Sequence, residues 1–329
     1  MQRRHLLTAG LGSLAVPAIL RAPAALAQAK YPDHPIRLVI PFAPAGPTDI
    51  IGRKVAEKMT GITGQTWIVD NKAGAAGSIG AVEVKNAKPD GYTLLFATSS
   101  THAINPTAYV KPLYDAVKDF TPVSSICVNP AVLAARMDMP NTVMGLVELM
   151  KKNPGKYSYG SSGAGGIFHL AGEYLKAEVG GMDVEHIPYK GSAPALNDML
   201  SGQIAWMFDT FATMLPLHRA GKIRILGVAY SARSPAAPEI PTMIEAGVKN
   251  FEAYTFNLIL GPANMPKSVV ETLDQASRKL LADPDMVKFL NDVAAPPTIN
   301  TSPELTAKFI TDEIAKWAPV IKAAGVRVE

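Results

Sequence analysis

The feature that most constrains this chain is the regular switching of its apolar residues between two periods. "IRLVI" (36–40) is a short β-branched run, and the stretch after it places Ile50, Ile51, Val55 and Met59 near helical spacing. "TWIVD" is the next strand. "NKAGAAGSIGAVEVKNAKPDGYTLLFAT" then reads as a Gly-rich loop, a helix, a Pro-Asp-Gly turn and a strand. The order β-α-β-α-β implies a mostly parallel sheet, because a parallel partner needs a crossover that a helix supplies.

The pattern then repeats. "DFTPVSSICVNPAVLAARMD" is a long strand-rich run, and "TVMGLVELMKKN" is a helix with Val143, Leu146, Val147 and Met150 on one face. Strands "KYSYG", "VEHIPY", "IAWMFDT" and "IRILGVA" alternate with helices "HLAGEYLKAE", "SAPALNDMLSG" and "MLPLHRAG". "AYTFNLILGP" returns as a strand, and two helices follow. Ser268 and Glu271 have capping-box spacing before the first. Ser302-Pro303 opens the last, whose apolar face carries Leu305, Phe309, Ile310, Ile314, Trp317 and Ile321. The expected fold is α/β with two lobes, each a mostly parallel sheet flanked by helices. Two extended crossings, near 122–136 and 251–262, join them. Lobe 1 takes residues 28–129 and 252–329, and lobe 2 takes 130–251. A ligand cleft is expected between the lobes, since open parallel sheets bind ligands beyond the carboxyl ends of their strands.

Residues 1–27 have a basic start, a Leu/Ala/Val-rich middle and Ala25-Leu26-Ala27, the pattern of a cleaved secretory signal. Arg3-Arg4 before His5-Leu6-Leu7 partly matches a twin-arginine signal. The apolar run is too short to span a bilayer and Arg21 interrupts it, so no membrane insertion is expected. The formal charge of +4 reflects 32 basic against 28 acidic residues. Arg3, Arg4 and Arg21 lie in the leader, which has no acids, so the remainder is near neutral and no nucleic-acid partner is implied. The single cysteine, Cys127, excludes an intrachain disulfide and a cysteine metal cluster, and reads as a small buried hydrophobe.

Enzyme signatures are sparse. "YGSSGAG" misses the spacing of a nucleophile elbow, and "GSSGAGG" misses the dinucleotide fingerprint. The spacing of His169, His186 and His218 suggests no metal, and no cofactor is implied. The strand–helix junctions "PFAPAGPTD" and "GSSGAGGIFHL" are more informative. Each sets small residues at a helix N-terminus, where free backbone N–H groups and the helix dipole favour an anion. One junction in each lobe can grip a carboxylate from both sides. Asp49 reads as the N-cap of its helix, with the cleft within reach. The hydroxyls of Thr98, Ser99, Ser100 and Thr101 either face the cleft or cap a turn. Trp206 and Phe208 alternate along a strand as core residues.

"PFAPAGPTDIIGR", "NKAGAAGSIGA", "PDGYTLLFATSSTHAINP", "DFTPV", "YGSSGAGGIFHLAGE", "HIPYKGSAPALNDMLSGQI", "MFDT", "AGKIRILGVA" and "PEIPTMIEAG" resemble, in order, the Bug family. These are the periplasmic substrate-binding receptors of tripartite tricarboxylate transporters. The resemblance covers essentially the whole chain after the leader. It implies a monomeric Venus-flytrap receptor without catalytic activity, whose partners are a small organic carboxylate and the membrane permease subunits. The first-lobe loop is then Phe42 to Asp49, with Ala45, Gly46, Pro47 and Thr48 nearest the ligand. Ser99 or Thr101 adds a hydroxyl. The second-lobe loop runs from Ser161 to Phe168 through Ser162, Ala164, Gly165 and Gly166, with His169 next to it. Asp209 lines the cleft, and Tyr189 and Lys190 lie at its rim.

Three departures from the family pattern stand out. Ala45-Gly46 replaces Gly-Gly, and an alanine disfavours positive φ. Phe168 stands at a commonly polar position, and Phe256 where a Trp is usual. A more apolar wall suits an aromatic or partly apolar acid over citrate. Two other readings share the sequence: an exported α/β hydrolase using Ser161 or Ser162 with His169, and a periplasmic sensor subunit docking on a signalling receptor.

Overall fold

The computed structural model describes residues 31–189 and 191–328. The expected secretory leader (1–27) and Lys190 therefore lie outside the described residues.

The first half is laid down as β1 (Ile36–Ile40), α1 (Pro47–Thr63), β2 (Trp67–Asn71), a 3-10 turn (Ala75–Gly77), α2 (Ser78–Lys85) and β3 (Thr93–Ala97). A π-helical turn (Ser100–Ile104) and the short α3 (Asn105–Ala108) follow. The chain then runs out along β4 (Phe120–Ala135), α4 (Val143–Lys152), β5 (Ser158–Ser161), α5 (Ile167–Glu178) and β6 (Glu185–Pro188). It continues through α6 (Ser192–Ser201), β7 (Trp206–Thr210), α7 (Phe211–Arg219) and β8 (Arg224–Val228). It returns on β9 (Tyr254–Pro262) and closes with α8 (Lys267–Ala282), α9 (Pro284–Asp292) and α10 (Pro303–Ala323).

The strands join in the order β2-β1-β3-β9-β4-β7-β5-β6, with β8 also on β4. β1 pairs in parallel with β2 and β3, and β5 in parallel with β6 and β7. The long strands β4 and β9 are antiparallel to their neighbours, so the sheet is mixed rather than parallel throughout. β4 changes partners at one point. Phe120 to Pro130 pair with β9, and Ala131 to Ala135 pair with β7 and β8. Two register shifts interrupt the β4–β9 ladder, at Pro122/Ser124 and Ser125/Cys127. Such bulges bend a strand locally.

The apolar periodicity meets this frame well. Val143, Leu146, Val147 and Met150 are all buried on α4, and Trp206 and Phe208 are fully buried on β7. Three local expectations need correction. Ile50 is 47% exposed, because α1 starts at Pro47 and turns Ile51, Val55 and Met59 inward instead. Ser268 caps nothing: α8 begins a residue earlier, after Pro266, which places Ser268 inside the helix. The stretch taken as part of a two-helix tail holds a third helix, α9, started by Asp283, whose side chain accepts from the N–H groups of Asp285 and Met286. Ser302 does cap α10, accepting from the Leu305 N–H. Leu305 itself is exposed, while Ile310, Trp317 and Ile321 are buried.

Candidate functional site

A cleft of about 590 Å³ opens where the carboxyl ends of the two strand groups face each other. One wall is the β1–α1 loop (Phe42, Ala43, Pro44, Gly46, Pro47, Thr48) with Ala76, Thr98, Ser100 and Thr255. The other is the β5–α5 loop (Ser162, Gly163, Ala164, Gly166, Ile167, Phe168) with Gly191, Ser192, Asp209, Thr210 and Thr213. Four helices, α1, α5, α6 and α7, begin at this cleft. Their first N–H groups have no preceding carbonyl in the helix to bond, so the cleft walls carry partial positive charge, and among the described lining residues none is cationic.

The two loops share one backbone form. Ala45 has φ 65° and Gly165 has φ 73°, both left-handed. The next residues, the N-caps Gly46 and Gly166, are extended at φ −79°, ψ 167° and φ −75°, ψ 165°. Each helix then starts at once, at Pro47 and at Ile167. Alanine in place of glycine has thus not altered the turn at Ala45. The alanine accepts the left-handed form, at a strain of roughly 1 kcal/mol.

Each loop is braced by the third residue of its helix. Asp49 is therefore not the N-cap. It sits at the third helical position, is 2% exposed, and reaches back to accept the Ala45 N–H at 2.9 Å. It also accepts from Arg53 Nε at 2.8 Å and from Asn71 Nδ2 at 2.8 Å. The same Asn71 amide donates to the Phe42 carbonyl. Burial raises the Asp49 pKa, but these donors together outweigh it and hold the carboxyl below its usual range. In the other lobe His169 takes the corresponding place, its Nδ1 accepting the Gly165 N–H at 3.0 Å. His169 stacks on His186 with ring centroids 3.7 Å apart, and His186 Nε2 lies 2.7 Å from Ser161 Oγ. Burial depresses both imidazoles, His186 to about 4.

The expected site residues divide by placement. Phe42, Gly46, Pro47, Thr48, Ser162, Ala164, Gly166, Phe168 and Asp209 line the cleft. Ala45, Asp49, Gly165 and His169 lie one layer behind, holding the loops. Thr101 accepts from the Thr98 N–H and donates to the Thr98 carbonyl, which folds the turn after β3. Ser99 donates to Thr255 Oγ1 at 2.9 Å. Ser161 is occupied with His186 and the Gly163 carbonyl. The Tyr189 hydroxyl donates to Asp198. Phe256 is not on the wall: alternation along β9 sends Thr255 to the cleft and buries Phe256 against Phe309. The hydrolase pairing is not assembled either, since His169 is committed to Gly165 and Ser161 to His186.

Sequence reasoning overlooked Ala76, Thr210, Thr213, Gly191 and Ser192. The signal for the last four was present. "DTFAT" and "KGSAP" are strand-to-helix junctions of the same kind as the two singled out, and the carboxyl-end rule applies to every parallel strand.

Two lobes built on shared strands, with helix N-termini converging on the cleft between them, have the form of a solute-binding receptor. The chain belongs to the family described as the tripartite tricarboxylate transporter family receptor, whose profile matches residues 51–326. Three solved structures show the same fold. The periplasmic binding protein BugD is 35% identical, with a TM-score of 0.77 over 91% of this chain and 100% of its own. An R. palustris protein with adipate is 32% identical, with a TM-score of 0.81 over 90% and 99%. MatC from Rhodopseudomonas palustris with bound malate is 28% identical, with a TM-score of 0.77 over 88% and 100%. The family is one of periplasmic solute-binding receptors without enzymatic activity. Among the described residues no helix is long and apolar enough to cross a membrane.

Proposed function

We propose that this receptor captures a small organic carboxylate in the cleft and delivers it to the permease subunits of a tripartite transporter. The matched pair of loops carries this reading. Two helices of opposite lobes point their N-termini into one cleft, with the same left-handed–extended entry in each. The N–H groups of Thr48, Ile167 and Phe168 fall in first helical turns, where an anion is the natural partner. Adipate and malate, named for two relatives, are carboxylates of a size this cleft accommodates. The cleft-lining members of the two loops are assigned to the ligand, and the braces Ala45, Asp49, Gly165 and His169 to holding the loops in shape.

Closure is assigned to bending of β4 and β9 where β4 changes partners, between Pro130 and Ala131, so that lobe 2 begins there. The ligand drives closure by binding the closed form more tightly than the open one. The expected carrier is a monomer exported by the N-terminal leader. The test is thermal unfolding of ligand-stripped protein with mono-, di- and tricarboxylates. A ligand at one hundred times its Kd adds roughly 2.7 kcal/mol to stability. A rise of several degrees with at least one acid is expected, and a flat response across the panel overturns the reading.

A further inference from the structure

A second cavity lies on the face of β4 and β9 turned away from the cleft. It measures about 540 Å³, close to the size of the cleft and within the range of small-molecule sites. Successive residues of a strand point to opposite faces, so Thr255 lines the cleft while Tyr254 lines this cavity. Val128, paired with Phe256, joins it from β4.

The chemistry here differs from that of the cleft. Among the described lining residues none is charged. Tyr254 and Phe309 supply aromatic walls, and the Tyr254 hydroxyl fixes its ring by donating to Glu313 Oε1 at 2.6 Å. Tyr230 meets that ring edge to face, with centroids 5.8 Å apart. Hydroxyls supply polar edges: Ser125 Oγ and Thr298 Oγ1 lie 2.9 Å apart. At the rim stand Leu305, 52% exposed, and Ile299, at 82% the most exposed large apolar side chain among the described residues. Apolar side chains gathered in the open at the mouth of a cavity mark an interaction site. A charged ligand would lose its water here with no counter-charge to meet it, whereas a flat neutral one packs ring against ring.

The cavity also straddles the bend. The 296–301 loop is fixed to β4 before it: the Val128 N–H donates to the Pro296 carbonyl, and the Thr298 N–H to that of Ile126. Tyr230 is fixed beyond it, next to Ala229, whose N–H donates to the Ala131 carbonyl. Closing the cleft on one face of β4 and β9 parts these two walls on the other.

We propose that this cavity is a second binding site, for a small neutral aromatic molecule of phenol type, whose occupant holds Tyr230 and the 296–301 loop together and so opposes closure. The binding half stands apart from the receptor reading above. The regulatory half rests on that reading and on its bend between Pro130 and Ala131. By linkage, the aromatic molecule and the cleft ligand weaken each other by one and the same factor.

The test titrates 4-fluorophenol into the full ligand-stripped receptor and reads its fluorine NMR signal. Adipate, or malate where adipate does not bind, is the cleft probe, read by calorimetry. Saturable binding of 4-fluorophenol is expected. Ile299→Asp sets a charge at the open rim and weakens it by about tenfold, at unchanged melting temperature and unchanged adipate affinity. Leu305→Asn removes apolar area from the same rim and weakens it by about threefold. Saturating 4-fluorophenol raises the adipate Kd by about threefold or more, to a plateau, and saturating adipate raises the 4-fluorophenol Kd equally. Absence of saturable binding, or binding that both rim variants leave intact, overturns the proposal. So does an adipate Kd that 4-fluorophenol leaves unmoved, or one that climbs without a plateau, since that is competition for the cleft. Each of these outcomes leaves the receptor reading standing. Binding of 4-fluorophenol when no carboxylate binds sustains the second site and overturns the receptor reading together with the linkage.

Discussion

The β1–α1 and β5–α5 loops reach one backbone form by different chemistry. The first is stiffened by Pro41, Pro44 and Pro47 and places an alanine at the left-handed position. The second contains Gly163, Gly165 and Gly166, and has almost no stiffness of its own. Proline removes conformational freedom from the unfolded chain, and glycine adds it. The braces differ as well: a carboxylate with three donors in one lobe, a neutral imidazole stacked on a second imidazole in the other. One lobe thus offers a preformed half-site, and the other a half-site that its packing must hold together. An anion grip needs only the positions of N–H groups, so side chains behind them are free to differ.

The largest effect that would break this comparison comes from Asp49→Ala. It leaves the Ala45 N–H without its acceptor and takes one bond each from Arg53, which keeps Asn71 Oδ1, and from Asn71, which keeps the Phe42 carbonyl, so a loss of about 1–2 kcal/mol is expected. Urea unfolding reads it directly, and a loss under 0.5 kcal/mol would show that the prolines alone hold the loop.

Acid should separate the lobes next. His169 and His186 are held neutral in the folded protein, whereas in the unfolded chain they take up protons near pH 6.5. Between pH 6.5 and about 4 the unfolded chain binds more protons, so stability falls as pH drops through that window. Glu173 partly opposes the depression of both imidazoles and Lys176 adds to it; Tyr159 packs on His186. Asp49 has its pKa lowered, so its contribution persists above the usual carboxylate range and is lost only below it. His169→Asn keeps an acceptor for the Gly165 N–H and should flatten the acid slope of the melting temperature. An unchanged slope would assign the sensitivity to the depressed imidazoles that remain, His186 and His102.

The smallest effects sharpen the comparison at its matched position. Gly165→Ala places a methyl at φ 73°, 3.3 Å from Val326 Cγ1, and should cost about 1–2 kcal/mol. Ala45→Gly relieves left-handed strain but frees the unfolded chain, and the two nearly cancel, to within about 0.5 kcal/mol. Equal costs at both positions would mean the loops are not equivalent.

Much of this was legible because it is local. Helical period exposed α4, and the small-residue junctions "PFAPAGPTD" and "GSSGAGG" pointed to both halves of the grip. What escaped depends on distance. Asp49 looked like an N-cap because helices admit acids at both the cap and the third position, and the Pro47 start decides between them. Phe256 and Thr255 are adjacent in sequence, and only the pairing of β9 with β3 and β4 says which one lines the cleft. His169 could be placed near the cleft by motif. That it braces Gly165 instead of serving Ser161 required His186, from another strand.

Cys127 lies on β4 beside the second register shift, wholly buried, with its Sγ toward Asn257 of β9. Burial pushes its thiol far above the ordinary range, which makes it inert to alkylating reagents while the two strands stay together. It is the one cysteine in the chain. The rate at which this sulfur is modified is therefore expected to report how often the β4–β9 ladder opens around it. The same silence leaves the surface blank for a dye, so a cysteine introduced on either lobe would report lobe movement against a dark background.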